Sequence, residues 1–206
     1  MADLIVYGSA LSPFVRPVLM ALEEKGVAYR NEEIAPKSPE HLALHPWGKV
    51  PCLRHGDVTL FESQALALYV DELFPNPPLR PADAAGRARV AQWVSATIDY
   101  FYKTVGAGHV VHYFMHQMRG APLDRAAIDA GLPAMRDTIA IYDRALSGRQ
   151  FLVGDSVTLA DLFLAPMSTF IATTPEGKEV MQASPAFTAW ASRMAARPSF
   201  VATAKT

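Results

Sequence analysis

The chain has only one cysteine, Cys52, among its 206 residues. A single thiol excludes an internal disulfide framework, a CxxC redox pair and a cysteine-rich zinc site. Charge of one sign is also missing, because 19 basic residues balance 20 acidic ones and leave a net charge of −1. Such a balance has no bulk attraction for nucleic acid or an anionic membrane surface. We therefore expect neither as a partner.

Long apolar runs and a secretory leader are absent as well. No run of about 18 apolar residues occurs, and MADLIVYGSA lacks the basic start and the cleavage site of a signal peptide. These features predict a cytoplasmic protein. Half of the residues are nevertheless hydrophobic, which is rich for a soluble monomer. The excess favours a buried subunit interface or an apolar pocket.

The first part of the chain has the pattern of an α/β domain. Residues 3–7 and 27–34 are predicted as strands, and KVPCLRHGDVTLFES as two strands around a turn. Three helices alternate with these strands, and their predicted starts are Ser12-Pro13, Ser38 and Ser63. Gly26 is predicted to end the first of them. The order β-α-β-α-β-β-α fits a mixed four-stranded sheet with a hairpin at its end.

A proline-rich stretch, FPNPPLRPAD, separates this part from the rest. Its four prolines exclude helix and central strand, so we predict a linker over residues 76–84. Only helical periods follow, and one helix is predicted to begin with a capping box of Thr158 and Asp161. The expected domains are residues 1–75, of α/β type, and residues 85–206, all helical.

Five motifs in this order resemble the glutathione S-transferases: YGSALSPFVR, EEKGVAYR, HPWGKVPCL, LFESQALALYV and FLVGDSVTLADL. The resemblance covers nearly the whole chain and is closest to the serine-type classes, the phi-like plant and bacterial enzymes. It implies a thioredoxin-like N-terminal domain, a helical C-terminal domain and glutathione as cosubstrate. It also implies a homodimer, a role in detoxification and no metal.

The resemblance places glutathione on the first domain. The backbone of Val50, before Pro51, would pair with the cysteine of glutathione as an added strand. Ser63, at a helix N-terminus, would hold the γ-glutamyl carboxylate, and Glu62 would meet the ammonium group. From the residues alone, an edge proline and a helix cap beside a solvated acid explain the same stretch. The candidates for the glycine carboxylate are Lys49 and His41.

The central question of the first domain is whether Ser12 only caps a helix or also meets a substrate. The cap alone is worth about 1 kcal/mol. The resemblance adds a hydrogen bond from the hydroxyl to the sulfur of glutathione, which together with the helix dipole would favour the thiolate. Arg16 would support this site or pair with a surface acid. Pro17 is expected to remove one bond from the helix interior and to tilt the helix.

Two other chemistries remain open for this stretch. A tyrosine-type transferase would use Tyr7, although in that group the tyrosine lies closer to the arginine of the first helix. A glutaredoxin-like thiol transferase would need Cys-Pro-Phe where the chain has Ser-Pro-Phe, so the nucleophile of that chemistry is missing. Cys52 is expected to face the core, as most free cysteines do.

The electrophile is expected in a cleft between the domains, against the aromatic helix DYFYKTVGAGHVVHYFMHQM. The candidate residues of this pocket are Phe14, Tyr100, Phe101, Tyr102, His109, His112, Tyr113 and Met115, and core packing explains any one of them as well. His109, His112 and His116 share helical spacing, but no acid accompanies them on that face, and we predict no metal.

The sequence predicts a glutathione transferase in which a thiolate attacks an apolar electrophile. Two alternatives stay open. The same site could serve an isomerase, a dehalogenase, an ether-cleaving enzyme or a peroxidase that uses glutathione. The fold could also act as a non-catalytic binding or assembly module.

Overall fold

The computed structural model describes residues 3–204, which divide into two compact units. The first unit extends to Pro81 and includes the C-terminal residues from Ala196 onward, and the second comprises Ala82–Ala195. The division falls within the stretch 76–84. The expected helical domain of residues 85–206 differs from this division at its end, because the last residues pack with the first unit.

The first unit is built on a mixed four-stranded sheet with the strand order β2-β1-β3-β4. β1 is parallel to β2, and β3 is antiparallel to both β1 and β4, which confirms the predicted sheet. The second strand is shorter than predicted. The elements of this unit are β1 (Leu4–Tyr7), α1 (Arg16–Lys25), β2 (Arg30–Glu32), α2 (Pro39–Leu44), β3 (Cys52–His55), β4 (Val58–Phe61), α3 (Ser63–Leu73) and, near the C-terminus, α10 (Pro198–Ala202).

Two of the predicted helix ends are formed by the residues that the sequence indicated. The Ser38 hydroxyl accepts a hydrogen bond from the His41 amide and caps α2. Gly26 ends α1 in the left-handed conformation, and its amide donates to carbonyls of the last turn. Both ends are fixed by local chemistry, which is why the pattern alone located them.

The second unit is all helical, as predicted. A π-helical stretch, Thr97–Val110, joins two of its helices into one rod and was not predicted. The other elements are α4 (Ala84–Ala96), α5 (Val111–Arg119), α6 (Arg125–Leu146), α7 (Leu159–Ile171), α8 (Pro175–Gln182) and α9 (Pro185–Ala195). Within residues 3–204, no helix combines the length and the apolar character needed to cross a membrane.

Helix α7 lies in the centre of the second unit, because nearly all of its residues are buried. At its start, the Asp161 carboxylate accepts hydrogen bonds from the amide and the hydroxyl of Thr158, at 3.0 and 2.9 Å. The same carboxylate accepts from the Leu152 amide and from the indole N–H of Trp190. Asp161 therefore reaches back to Thr158 as predicted, and it also ties α9 to the start of α7.

Candidate functional site

Three predicted site segments begin or end at one row of residues across the sheet. Tyr7, at the end of β1, is paired with Cys52 at the start of β3, and Cys52 is paired with Phe61 at the end of β4. Since neighbouring strands lie about 4.8 Å apart, this row spans about 10 Å. The loop with Ser12 leaves the row after Tyr7, the Val50-Pro51 pair enters it before Cys52, and Glu62-Ser63 leaves it after Phe61. The sheet register thus brings the predicted segments to one edge.

Ser12 caps a turn that leads into α1. Its Oγ accepts hydrogen bonds from the amides of Phe14 and Val15, at 3.3 and 3.4 Å, and its carbonyl accepts from the Arg16 amide. Both side-chain bonds use Oγ as an acceptor. No acceptor for the hydroxyl proton is present among residues 3–204, so the half-buried hydroxyl retains a donor for a ligand.

Pro17 explains why α1 begins only at Arg16, four residues beyond Ser12. Proline has no amide proton, so the bond that residue 17 would donate to residue 13 is missing from the ladder. The structure places Pro17 in the first turn of α1. The expectation of a proline in the helix interior was therefore wrong, because the recorded helix starts later than the Ser12-Pro13 pattern indicated.

The Val50-Pro51 peptide bond is cis, and the Val50 backbone lies next to the loop that follows β1. Gly8 makes this approach possible: its φ is +125°, and a Cβ there would stand 2.7 Å from Val15 Cγ2 and 2.8 Å from Val50 Cβ. Neither the amide nor the carbonyl of Val50 has a hydrogen-bond partner in the described part of the chain. Val50 therefore offers a donor and an acceptor, as an extended peptide requires.

Glu62 and Ser63 form the start of α3. Glu62 has a φ of +72° and is the N-cap residue, while Ser63 is the first helical residue and is buried. The prediction that Ser63 caps the helix was wrong, because the strained turn at Glu62 moves the cap one residue earlier. The Ser63 amide and hydroxyl have no hydrogen-bond partner between residues 3 and 204, and both are available to an anion at this helix end.

His41 supports the backbone and does not act as a free side chain. The ring is only 2% exposed, and its Nδ1 accepts a hydrogen bond from the Lys37 amide at 3.1 Å. Since that amide can only donate, Nε2 carries the proton and donates to the Lys49 carbonyl at 2.8 Å. Both ring nitrogens are occupied, so the prediction of His41 as a carboxylate ligand was wrong.

Lys49 itself is exposed, and its ammonium group has no partner in the described residues. A second cation, Lys37, was not predicted. The Lys37 backbone has a φ of +60°, and its Cγ would stand 3.1 Å from a Cβ at Gly48, directly before Lys49. Lys37 and Glu62 are the two non-glycine residues with positive φ among residues 3–204. Such strain is frequent at binding sites, and it is the feature that brings Lys37 into the candidate site.

Tyr7 and Cys52 belong to the core. Together with Ile5 they form a buried cluster, against which Ile34 and Leu44 pack. Burial raises the pKa of the Cys52 thiol to about 11, so this sulfur stays protonated near neutral pH. The predicted burial of Cys52 is confirmed, and the thiol chemistry of a glutaredoxin has no nucleophile here.

Arg16 contacts the C-terminal residues and makes no recorded contact with Ser12 through its guanidinium. Its Nη2 donates to the Phe200 carbonyl at 2.9 Å, and Nε donates to Thr203 Oγ1 at 3.3 Å. The guanidinium also lies over the Phe200 ring, 3.8 Å from the centroid. Pairing with a surface acid is therefore excluded, since Arg16 is buried against the end of the chain.

Two candidates for the electrophile pocket lie inside the helical unit instead. His109 is fully buried, and its Nε2 lies 3.0 Å from the Thr174 hydroxyl. The Tyr113 hydroxyl donates to Glu176 at 2.6 Å, and Arg125 donates to the other oxygen of that carboxylate. As a pocket residue His109 was a wrong prediction, because its side chain is fully buried. Tyr113 is half-buried and stays a prediction.

The remaining candidates differ in exposure. Tyr100 is 69% exposed, whereas Phe101 is fully buried, which leaves Phe101 to the core. Among residues 3–204, no three His, Cys, Asp or Glu side chains are grouped so that they could hold a metal ion. The candidates whose side chains are partly exposed are Phe14, Tyr102, His112 and Met115.

Comparison with known proteins gives matches to both units. Residues 6–78 match the family model of the glutathione S-transferase N-terminal domain, and residues 101–198 match that of the C-terminal domain. Glutathione S-transferase 4 of Zea mays is 35% identical over 94% of this chain and 88% of its own length.

Solved structures agree in fold. Glutathione transferase F7 from Populus trichocarpa superposes with a TM-score of 0.89 at 28% identity and covers 98% of both chains. Glutathione S-transferase I from maize, in complex with an atrazine glutathione conjugate, superposes with a TM-score of 0.88 at 29% identity. That match covers 98% of this chain and 97% of the maize chain.

Proposed function

The chain belongs to the glutathione S-transferase family and is a glutathione transferase, and from this premise we propose that Ser12 activates the glutathione thiol. The predicted fold class, a thioredoxin-like domain followed by an all-helical one, is confirmed. The observation that carries the proposal is the uncommitted proton of the Ser12 hydroxyl. That proton can be donated to the sulfur only if the sulfur is close to the turn that Ser12 caps.

The energy required is within the range of one hydrogen bond. A thiol with a pKa of about 8.5 is only a few per cent ionised at pH 7. Lowering this pKa by two makes the thiolate the major form and requires about 2.7 kcal/mol. A hydrogen bond to a charged acceptor contributes about 1.5–3 kcal/mol. The hydroxyl of Ser12 can thus supply at least about half of this energy, and all of it at the upper end of the range.

Glutathione would extend along the row of the sheet. The free amide and carbonyl of Val50 would pair with its cysteine backbone, and the start of α3 would receive the γ-glutamyl end at Glu62 and Ser63. The glycine carboxylate would be bound by the ammonium groups of Lys49 and Lys37, which are both exposed. His41 would act indirectly, because it holds the Lys49 carbonyl and the Lys37 amide from one ring.

The thiolate would attack an apolar, flat electrophile, displacing its leaving group and forming a carbon–sulfur bond. The residues proposed to contact it are Phe14, Tyr100, Tyr102, His112 and Tyr113. The conjugate bound by the maize enzyme supports this substrate class. We further propose that the protein detoxifies such compounds in the cytoplasm and acts as a homodimer. The high hydrophobic content supports a subunit interface.

The proposal is tested by titrating the ultraviolet absorbance of the glutathione thiolate bound to wild type, Ser12→Ala and Ser9→Ala. Ser9 is a matched control because its Oγ also accepts a backbone amide bond in the same loop, from Leu11. We expect Ser12→Ala to return the thiolate pKa towards about 8.5 and to lower kcat about 10- to 100-fold. Ser9→Ala should change neither.

Calorimetry of glutathione binding separates activation from affinity. Ser12→Ala should bind glutathione within about threefold of wild type, because the Val50, Glu62 and Ser63 contacts remain. An unchanged thiolate pKa in Ser12→Ala would remove Ser12 from the activation step. Wild type that binds no glutathione would contradict the site as a whole.

A further inference from the structure

The last residues of the chain hold the helix that follows Ser12. Helix α10 (Pro198–Ala202) belongs to the first unit, although the whole helical unit separates it from α1 in the sequence. It contacts α1 at two places. One is Arg16, the first residue of α1, and the other is Glu24, near its end.

The contact at Glu24 is a partly buried ion pair. The Glu24 carboxylate accepts two hydrogen bonds from Arg197, at 2.8 and 2.7 Å, and one from the Ser199 hydroxyl. Burial raises the pKa of this carboxyl, but the bonds from Arg197 and Ser199 outweigh burial and leave the pKa below its ordinary value. This contact holds the far end of α1, about 12 Å along the helix from Arg16.

The contact at Arg16 lies at the end of α1 that adjoins the site. Its guanidinium is held by the Phe200 carbonyl, the Thr203 hydroxyl and the Phe200 ring. The amide of the same residue donates to the Ser12 carbonyl at 3.1 Å. Among residues 3–204, only Arg16 has hydrogen bonds both to the capped turn and to the C-terminal residues. It is therefore the residue through which the C-terminal segment can act on the Ser12 backbone.

This matters because the Ser12 side chain is weakly held by the bonds of its own turn. The backbone of the turn has ordinary bonds, at 2.9 Å from the Ser12 amide to the Ser9 carbonyl and at 3.1 Å from the Arg16 amide to the Ser12 carbonyl. The two bonds to Ser12 Oγ are long, at 3.3 and 3.4 Å. A hydroxyl that must meet a sulfur atom needs its position fixed to about 0.5 Å. The long bonds to Ser12 Oγ do not fix the hydroxyl that closely, so a contact from outside the turn is needed.

We infer that residues 197–203 fix the Ser12 hydroxyl on the glutathione sulfur, through Arg16 acting as a positioning residue. The inference rests on the proposed role of Ser12. In this inference residues 197–203 affect both the pKa of the bound thiol and the stability of the fold. A purely structural role would affect stability alone.

The test compares Arg16→Met, Thr203→Val and Glu24→Gln with wild type. Arg16→Met removes both the charge and the anchors, whereas Thr203→Val keeps the charge and removes one anchor. Glu24→Gln is the matched control, because it weakens the attachment of α10 at the end of α1 that is far from Ser12. The readouts are the pKa of the bound thiolate, kcat and KM for glutathione, and the melting temperature.

All three variants are expected to melt at lower temperature. The thiolate pKa should rise by about one in Arg16→Met, which is a tenfold loss of thiolate below that pKa, and by about half as much in Thr203→Val. It should stay at the wild-type value in Glu24→Gln. KM for glutathione should change less than about twofold in each variant, because no binding contact is removed.

Three outcomes overturn the inference. If none of the variants moves the thiolate pKa, the segment is only structural. If Arg16→Met moves it and Thr203→Val does not, the charge of Arg16 acts directly and the C-terminal anchor does not. If Glu24→Gln moves it as much as Arg16→Met, the effect is general loosening of α1. Ser12→Ala measured alongside separates these results from failure of the proposed function, which would leave the thiolate pKa independent of Ser12.

Discussion

The two units differ in what their polar candidate residues are bonded to. In the first unit, the hydroxyl proton of Ser12, the backbone of Val50 and the amide of Ser63 have no partner in the described residues. In the second unit, His109 and Tyr113 are bound to neighbouring helices through an internal network. The polar groups of the first unit therefore lack protein partners, whereas His109 and Tyr113 join helices of the second unit. His109 Nδ1 is the one buried side-chain nitrogen or oxygen without a partner among residues 3–204.

The same contrast appears in the backbone. The two strained non-glycine residues, Lys37 and Glu62, lie in the first unit, next to the predicted glutathione contacts. In the second unit, close approach of helices is the main constraint. A Cβ at Gly131 would stand 2.6 Å from the Gly108 carbonyl, so α6 can pack on the π-helical stretch only with glycine there. The first unit has strained backbone next to the predicted glutathione contacts, whereas the second unit has a glycine where two helices pack closely.

The largest expected effect is a loss of stability in the second unit, and it tests whether that unit takes part in activation of the glutathione thiol. Asp161→Asn replaces one carboxylate oxygen by an amide NH₂. That NH₂ faces the Leu152 amide and the Trp190 indole N–H in one orientation, and the Thr158 amide in the other. Leaving at least one buried donor unpaired should lower the free energy of unfolding by about 2–3 kcal/mol. Urea unfolding measures this loss, with the exposed Asp155→Asn as control, expected within about 0.5 kcal/mol of wild type.

The folded fraction of Asp161→Asn should bind glutathione with the wild-type thiolate pKa. A thiolate pKa that rose together with the loss of stability would break the comparison, because it would make the helical core part of the activation step.

A smaller effect is expected from the network around Glu176. Although partial burial acts to raise the pKa of Glu176, hydrogen bonds from Tyr113 and Arg125 outweigh it and bring the pKa to about 2. The ordinary value is 4.5, so the folded state holds its proton less strongly than the unfolded state. The stabilisation is therefore complete above about pH 5 and is lost as the pH falls from 4.5 towards 2.

Glu176→Gln should remove this part of the acid sensitivity. Arg125 is half exposed, so solvent screening limits the gain at neutral pH to about 1–2 kcal/mol. Thermal melts between pH 7 and pH 3 measure it, and Glu179→Gln, an exposed acid on the same helix, is the control. Equal pH profiles for the two variants would mean that Glu176 is not stabilised by its partners.

Much of this architecture follows from local sequence chemistry. Alternating apolar residues, the Gly26 end of α1, the Ser38 cap and the bond of Asp161 back to Thr158 each depend on residues a few positions apart, so the pattern identified them. The Val50-Pro51 and Glu62-Ser63 segments were assigned to glutathione by the resemblance. The register that brings them to one edge of the sheet is seen only in the structure.

The failures of prediction depend on distant contacts. Nothing near His41 indicates that its ring joins the Lys37 amide to the Lys49 carbonyl, and nothing near Arg16 indicates Thr203. The π-helical stretch has no such local signal. Its buried residues recur at every fourth position, a wider spacing than the mixed three and four of an α-helix, but two of them are polar and do not stand out in the sequence. The buried residues of the stretch are Thr97, Phe101, Val105 and His109.

The smallest expected effect is that of Tyr7→Phe, which decides between the two hydroxyls near the start of the site. Tyr7 is 7% exposed and packs with Ile5 and Cys52, and its hydroxyl has no hydrogen-bond partner among residues 3–204. Removing that oxygen should leave kcat within about twofold of wild type and the thiolate pKa unchanged, because Ser12 is the proposed donor to the sulfur. Tyr29→Phe is the control for loss of a tyrosine hydroxyl in this unit, since it removes a bond to Glu23 and should affect stability alone. A tenfold fall in kcat with a raised thiolate pKa in Tyr7→Phe would transfer activation from Ser12 to Tyr7. A buried residue at the end of β1 would then activate the thiol in place of the half-buried Ser12 in the loop, and the comparison would fail within the first unit itself.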